Sequence, residues 1–274
     1  MDFDGTLKPF ERAVSPEDIE TLATLGRLGA VRAVATGRSI RSFVRDWDPA
    51  FEIDYLITSS GLGTSRFGPD GPGELLESHR FTEAEAALAV DLARSLALGF
   101  FLALPPPETH RFFYQPPKGP APACFEARIR HSGGDASPWD SRSAFPLAQL
   151  LIMGEPAVMR KAEERFFNEA PRLSSVMSSS PYGDGAFWLE VYPPGVSKGR
   201  AADALAASLG LGPEDAVAMG NDFNDADLLR WAGRAYVSCE APETLRSLYP
   251  NAPPAGKAPL AAVARLLVPG FPGA

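Results

Sequence analysis

Asp2-Phe3-Asp4-Gly5-Thr6-Leu7 opens the chain with two acids one residue apart and a turn directly behind them. In an extended segment the side chains of residues i and i+2 point the same way, so Asp2 and Asp4 can converge on one site where a strand ends. Two carboxylates brought that close repel, and one is neutralised unless a cation lies between them. Gly5 and Thr6 permit a sharp turn immediately after the pair. Asp and Gly are also common in plain surface turns, so the stretch gains meaning only from what surrounds it.

Around it the chain alternates strand and helix. Ser15-Pro16-Glu17-Asp18 has the marks of a helix start: a Ser cap, a proline in the first turn and acids at the positive helix end. Ile19, Leu22, Leu25 and Leu28 then recur at three-residue spacing and predict a helix to about Leu28. Residues 30–35 form a short run of small and branched side chains suited to a buried parallel strand, and Tyr55–Thr58 is a second. The turn-rich residues 61–73 predict a hairpin or loop. Toward the other end a helix over 198–209 stops at Gly210, a left-handed cap. A strand over 215–219, a helix over 226–232 and a strand over Arg234–Ser238 follow. Alternation at both ends predicts an α/β fold with a doubly wound parallel sheet.

The middle follows another pattern. Residues 83–98 predict an amphipathic helix, and residues 105–122 hold seven prolines, which forbid regular helix and predict a rigid loop. Residues 147–153 and Phe187–Tyr192 predict strands of an antiparallel sheet, with a helix over 156–168 between them. Together they predict an α+β module inserted into the α/β domain. Phe100, Phe101, Phe112 and Phe113 are expected in its core.

Three further stretches carry chemistry. Thr36-Gly37-Arg38 follows the strand at 30–35 and places a hydroxyl and free N–H groups at the carboxyl edge of the sheet, where open α/β sheets bind ligands. Lys198 joins a point charge to the free N–H groups of a helix start, which suits a phosphate. Gly220-Asn221-Asp222-Phe223-Asn224-Asp225 follows another strand and offers the acidic and amide oxygens that Mg²⁺ prefers. An EF-hand is excluded there, because its Gly at position six and Glu at position twelve are missing. Taken singly, the three read as a loop, a solvated lysine and a turn; their joint order after strands and at a helix start is what singles them out.

Composition narrows the class. The 274 residues amount to nearly two typical domains of about 150 residues, and 45% hydrophobic content is ample for a core. The 27 prolines and 25 glycines show no fixed period, so they indicate turns and stiff loops rather than low complexity. A net charge of −8 argues against a general nucleic-acid binder. Cys124 and Cys239 form neither a disulfide framework nor a zinc spacing. The N-terminus lacks a secretory pattern, and the most apolar stretch, residues 96–104, is far shorter than the ~20 residues of a membrane helix. A soluble cytoplasmic protein without membrane or nucleic-acid partners is the expectation.

In order and character, the stretches at Asp2–Leu7, Thr36–Arg38, Lys198 and 220–225 resemble the four motifs of the haloacid-dehalogenase-like (HAD) hydrolases, and the resemblance spans nearly the whole chain. It implies that Asp2 is the nucleophile that becomes an aspartyl-phosphate, and that Asp4 is the general acid and then the base that activates water. It implies that Thr36 and Lys198 hold phosphoryl oxygens, and that Gly5, Thr6, Gly37, Arg38 and Asn224 line the substrate site. Mg²⁺ is implied on Asp2, Asp4 (through its backbone carbonyl) and the fourth motif, with Asn221, Asp222 and Asp225 as candidate ligands.

Spacing indicates the branch. Thirty-four residues separate Asp2 from Thr36, room for one helix and one strand, whereas 162 separate Thr36 from Lys198. The insertion therefore lies between the second and third motifs, as in the Cof-type sugar phosphatases and the similar sucrose-phosphate and mannosyl-3-phosphoglycerate phosphatases. Residues 54–61 and 189–199 resemble that group's corresponding segments. The expected layout is a core over 1–78 and 191–274 with an α+β cap over 79–190 that sets substrate choice. Thr109, His110, Arg111, Tyr114, Lys118 and Arg160 are its candidate contacts. The implied activity is Mg²⁺-dependent hydrolysis of a small phosphomonoester, such as a sugar phosphate. A phosphosugar mutase, or a weakened member that only binds a phosphorylated ligand, are the alternatives.

Three departures from the family pattern stand out. Only Met1 precedes Asp2, so the nucleophile's strand is either very short or begins upstream of this sequence. Asn221 stands where the fourth motif carries its first Asp; its carbonyl can bind Mg²⁺ without adding charge, which predicts weakened metal affinity, with adjacent Asp222 as a substitute. Val237-Ser238-Cys239-Glu240-Ala241-Pro242 replaces the usual Met-Gly-Asn-Ala-Pro and touches packing more than chemistry.

Overall fold

Backbone hydrogen bonds set residues 1–3 between two strands of the first unit of the molecule. In the computed structural model, which describes residues 1–9, 12–140, 146–180 and 184–272, Met1 N donates to Ala33 O (2.9 Å) and Ala35 N to Met1 O (2.8 Å). That alternation is the ladder of a parallel pair. On the other side Asp2 N donates to Met219 O (2.9 Å). Phe3 is buried against Phe43 and Phe51, with ring centroids 4.8 and 5.7 Å away, which anchors the strand between its two acids.

Contacts divide the chain into two units, residues 1–38, 43–77 and 197–274 in one, 39–42 and 78–196 in the other. The first is α/β. Its elements are α1 (Pro16–Arg27), β1 (Ala33–Ala35), α2 (Ile40–Arg45), β2 (Tyr55–Thr58), β3 (Gly63–Gly68) and β4 (Gly71–Ser78), α2 and β4 running to its boundary. β1 and β2 pair in parallel, β2 and β3 antiparallel, and the order is β1-β2-β3-β4. Residues 61–73 thus include a hairpin turn, and the sheet is mixed. β1 is shorter than the six residues expected, because Arg32 N donates to the Asp54 carboxylate (2.7 Å) instead of extending the ladder.

The second unit contributes α3 (Glu83–Ser95), β5 (Phe100–Ala103), β6 (Phe112–Gln115), α4 (Ala123–His131), β7 (Ala136–Pro138), β8 (Gln149–Gly154), α5 (Pro156–Glu169), β9 (Ser174–Ser179) and β10 (Phe187–Tyr192). Its sheet runs β7-β6-β5-β8-β10-β9, antiparallel except between β6 and β7. Alternate residues face opposite sides. Phe100, Leu102, Leu150 and Ile152 pack with α3 and α5, while Phe101, Ala103, Leu151 and Met153 pack with Cys124 and Phe125 of α4. β6 corrects the expected continuous loop: prolines bound it at 107 and 116 but leave Phe112–Gln115 free to pair with β5.

The chain then returns to the first unit with α6 (Lys198–Ser208), β11 (Val217–Gly220), α7 (Ala226–Trp231), β12 (Arg234–Ser238), α8 (Glu243–Arg246), β13 (Asn251–Ala252) and α9 (Pro259–Leu267). β11, β12 and β13 are parallel. β11 starts two residues later than expected, since Pro213–Asp215 form a 3-10 turn closed by Asp215 Oδ2 on Gly212 N (3.0 Å). Ala201 and Leu205 of α6 and Leu228 and Leu229 of α7 pack with Ile57, Ala218 and Val237 of the strands. Among the described residues no helix is long and apolar enough to cross a membrane.

Gly61 fixes where α6 begins. Its φ is +106°, and a Cβ there would sit 2.7 Å from the Ser197 carbonyl carbon and nearer still to its oxygen. Gly61→Ala is therefore expected to lower unfolding free energy by about 2–4 kcal/mol in denaturant titration. A loss within about 0.5 kcal/mol, the range of neutral surface changes, would contradict this close approach.

Candidate active site

Lys198 is the first residue of α6, and Ser197 caps the helix by accepting from Arg200 N (3.2 Å). The lysine side chain turns inward and is 1% exposed. Its Nζ donates to Asp2 Oδ1 (2.7 Å) and to Asp225 Oδ1 (2.6 Å). Burial pulls the ammonium's pKa down, but the two carboxylates outweigh it and hold the pKa above the usual lysine value. Two buried acids against one ammonium leave an excess of negative charge. With burial first, and the nearby Asp225 charge next, Asp2 is pushed up to about 7, against the pull of Lys198.

The second oxygen of Asp2 faces a different set of groups. Thr6 Oγ1 donates to Asp2 Oδ2 (2.9 Å) from the turn that Gly5, at φ +76°, makes possible. Across this turn lies the Asn221 side-chain amide, whose Cγ would be 3.0 Å from a Cβ on residue 5. One terminal atom of that amide lies 2.9 Å from the Asp4 carbonyl oxygen, 3.1 Å from Asp2 Oδ2 and 3.1 Å from Thr6 Oγ1. It donates to all three when that atom is nitrogen. When it is oxygen, two further acceptors, the Asp4 carbonyl and Asp2 Oδ2, lie 2.9 and 3.1 Å from it, about the spacing of neighbouring ligands in an octahedron with bonds of about 2.0–2.1 Å. The Asn221 amide, the Asp4 carbonyl and the Asp2 carboxylate therefore fit a small hard cation. Among the described residues no three His, Cys, Asp or Glu side chains form a metal cluster; this donor set has one carboxylate.

The acids sort differently from the sequence expectation. Asp4 does not converge on Asp2 through its carboxylate, which takes a two-pronged grip from Arg38: Nε to Oδ2 at 2.6 Å and Nη2 to Oδ1 at 2.7 Å. Arg38 also holds Asp46 (2.6 Å), and despite burial these carboxylates raise its pKa. Arg38 is thus committed to carboxylates rather than open to substrate. Asp225 is not placed as a cation ligand: Oδ1 is on Lys198, and Oδ2 accepts from Asn221 N (2.8 Å) and Asp222 N (3.1 Å). Asp222 Oδ1 instead caps the following turn through Phe223 N (2.8 Å).

Thr36 directly follows β1 and is buried, next to Ala35, whose N–H donates to Met1 O. Its N–H enters the ladder to Ile57 O (2.9 Å), and its hydroxyl accepts from Arg38 N (3.1 Å), so this turn uses internally two of the N–H groups expected to be free. Gly37 is exposed, and Asn224 is half buried, with no hydrogen bond to this cluster among the described residues. In the second unit Tyr114 packs on Phe101 and Phe125, and Arg111 pairs with Glu108.

Three residues went unnoticed in the sequence. Asp46 orients Arg38, and Asp227 accepts from Gly199 N (2.8 Å) at the start of α6. Ser60 carries a buried hydroxyl with no hydrogen-bond partner among the described residues and a φ of +57°. The signal for Ser60 was the Ser59-Ser60-Gly61 stretch, where the resemblance expects Asn-Gly; the other two had none.

Comparison with known proteins bears on family and fold. Residues 1–249 match the haloacid dehalogenase-like hydrolase family. The HMP-PP phosphatase of Serratia proteamaculans is 38% identical over 97% of this chain and 92% of its own length. Two other curated relatives match over less: the HMP-PP phosphatase of Cronobacter sakazakii, 38% identical over 29% of each chain, and the phosphoglycolate phosphatase of Halorubrum lacusprofundi, 28% identical over 44% of this chain and 51% of its own. Among solved structures, a HAD-superfamily phosphatase from Bacteroides thetaiotaomicron has a TM-score of 0.77 at 20% identity, covering 97% of this chain and 92% of that one. A HAD subclass IIB sugar phosphatase scores 0.74 at 17% identity, covering 97% and 96%. These likenesses establish the fold, the α/β core with an inserted α+β region.

The charge excess at Asp2 has a measurable consequence. The folded protein holds this proton more tightly than the unfolded chain, so stability falls as pH rises from about 4, where a free Asp titrates, to about 7, the folded value. Asp2→Asn removes that loss. With a chelator present, the variant is expected to melt above wild type at pH 8, and the gap to narrow toward pH 4. A wild type at least as stable as Asp2→Asn at pH 8 would contradict the charge balance.

Proposed function

The chain belongs to the haloacid dehalogenase-like hydrolases, and from that premise we propose that it is a phosphatase that hydrolyses a small phosphomonoester, a sugar phosphate or related metabolite, through an aspartyl-phosphate on Asp2. The observation that carries the reading is the pinning of one buried carboxylate from two sides. Lys198 holds Asp2 Oδ1, while Oδ2 faces Thr6, Asn221 and the Asp4 carbonyl. A carboxylate so fixed can attack phosphorus without losing orientation first.

In the proposed course, Asp2 Oδ1 forms the bond to phosphorus as the bond to the leaving oxygen breaks. Lys198 lies beside Asp2 Oδ1 and would balance the charge that spreads over the phosphoryl group. Asp4 gives the leaving oxygen a proton, then takes one from the water that attacks the aspartyl-phosphate. To donate, Asp4 must leave the fork of Arg38, so Arg38 and Asp46 form a latch on the acid rather than a substrate clamp. Thr36 and the Gly37 turn are proposed to contact the phosphoryl oxygens from β1. Asp2 Oδ2, the Asp4 carbonyl and Asn221 Oδ1 would hold Mg²⁺, which when bound supplies positive charge against the phosphoryl oxygens. Residues 79–190 are proposed to select the leaving group.

The test is a phosphate-release panel of phosphosugars, phosphoglycolate and HMP-PP, with Mg²⁺ and with chelator. Mg²⁺-dependent release from a subset is expected, and Asp4→Asn should lower kcat by at least about 100-fold with substrate binding retained. Isomer interconversion without release would indicate a mutase, and binding without turnover a ligand-binding member; either would overturn the proposal.

A further inference from the structure

The Asn221 amide fits its surroundings in two ways, and the two differ in what they allow to enter. With nitrogen inward, its two protons meet the Asp4 carbonyl (2.9 Å), Asp2 Oδ2 (3.1 Å) and Thr6 Oγ1 (3.1 Å), and the cluster is satisfied without any ion. With oxygen inward and Asp2 ionised, Asn221 Oδ1 faces the Asp4 carbonyl and Asp2 Oδ2 with no proton between them, and only the Thr6 hydroxyl remains as a donor. That arrangement adds a third acceptor to a site already holding more carboxylate than ammonium, and only a cation makes it favourable.

We propose that Asn221 is a reversible closure of its own cation site. Its amide points NH₂ inward when the site is empty and turns half a rotation about Cβ–Cγ to offer Oδ1 when Mg²⁺ binds. The inference rests on the Mg²⁺ reading of this site given above. Only an amide can do this, because it carries a donor and an acceptor of nearly equal size on one planar group. An Asp at 221 could supply only acceptors, so it would bind the cation more tightly and leave the empty site with a third acid beside Asp2. Room for the turn comes from Gly5, since a Cβ there would press on Asn221 Cγ at 3.0 Å. The loop itself need not move: Asn221 N and Asp222 N are both tied to Asp225 Oδ2.

The experiment uses the full ¹⁵N-labelled chain. The Asn221 NH₂ resonance pair, identified by its loss in Asn221→Asp, is followed through a Mg²⁺ titration whose occupancy is measured by calorimetry. With chelator the pair is expected to exchange slowly with solvent. As Mg²⁺ binds, it should shift and exchange faster in step with occupancy. If Mg²⁺ binds and other resonances move while this pair stays put, the closure is wrong and the cation site stands. If neither wild type nor Asn221→Asp takes up Mg²⁺, the cation reading fails and the closure with it. Thermal melting gives a second readout: Asn221→Asp should bind Mg²⁺ at least about tenfold more tightly yet melt below wild type in chelator. An equal metal-free melting temperature would overturn the proposal.

Discussion

One ammonium group, Lys198 Nζ, joins two buried carboxylates that lie 196 and 27 residues away along the chain. Removing the ammonium would leave both carboxylates uncompensated in a dry interior, at a cost of about 3–5 kcal/mol. The surrounding structure serves this contact. Met1 to Phe3 run between β1 and β11 so that Asp2 emerges at the sheet's carboxyl edge. Gly61 lets Ser197 approach closely enough for α6 to begin at Lys198. Asp225 uses its remaining oxygen to tie down the backbone of Asn221 and Asp222. The lysine is thus a structural link as well as a charge facing the proposed site of phosphoryl transfer.

The same cluster is deliberately unbalanced. Two acids share one ammonium, and the excess negative charge, together with burial, is what raises the Asp2 carboxyl. A protein optimised only for stability would not retain this excess, and functional sites are where such conflicts persist. Asp4 is handled the opposite way, gripped by Arg38 and kept apart from Asp2. Its carboxylate and its backbone carbonyl therefore belong to two different environments, one latched and one facing Asn221. The pair that looks symmetrical in the sequence Asp-Phe-Asp is divided in space, one acid on Lys198 and the other on Arg38.

Much of this was legible beforehand. The helix start at Ser15, the Gly210 cap and strands β2, β10 and β12 follow from local chemistry that tertiary packing does not override. Asp2, Lys198 and Asp225 each stood out at a strand end or helix start, but Lys198 read as a phosphate contact and Asp225 as a Mg²⁺ ligand, not as partners of one another. What failed was the direction of side chains. Asp222 and Asn221 are neighbours, and only the fold decides that Asn221 faces Asp2 while Asp222 caps a turn. Arg38 read as a substrate contact because Asp46, on the far side of α2, has no motif to announce it. β6 was hidden by prolines that flank it without entering it.

The central claim is that Asp2 itself forms the bond to phosphorus, and the most direct measurement is acid quench of the wild-type protein turning over a substrate labelled in its phosphoryl group. Peptide mapping is predicted to find the label on the Asp2 peptide, lost on treatment with hydroxylamine and absent from Asp2→Asn. Rapid phosphate release with no labelled protein at any quench time, or with the label on another residue, would contradict the account.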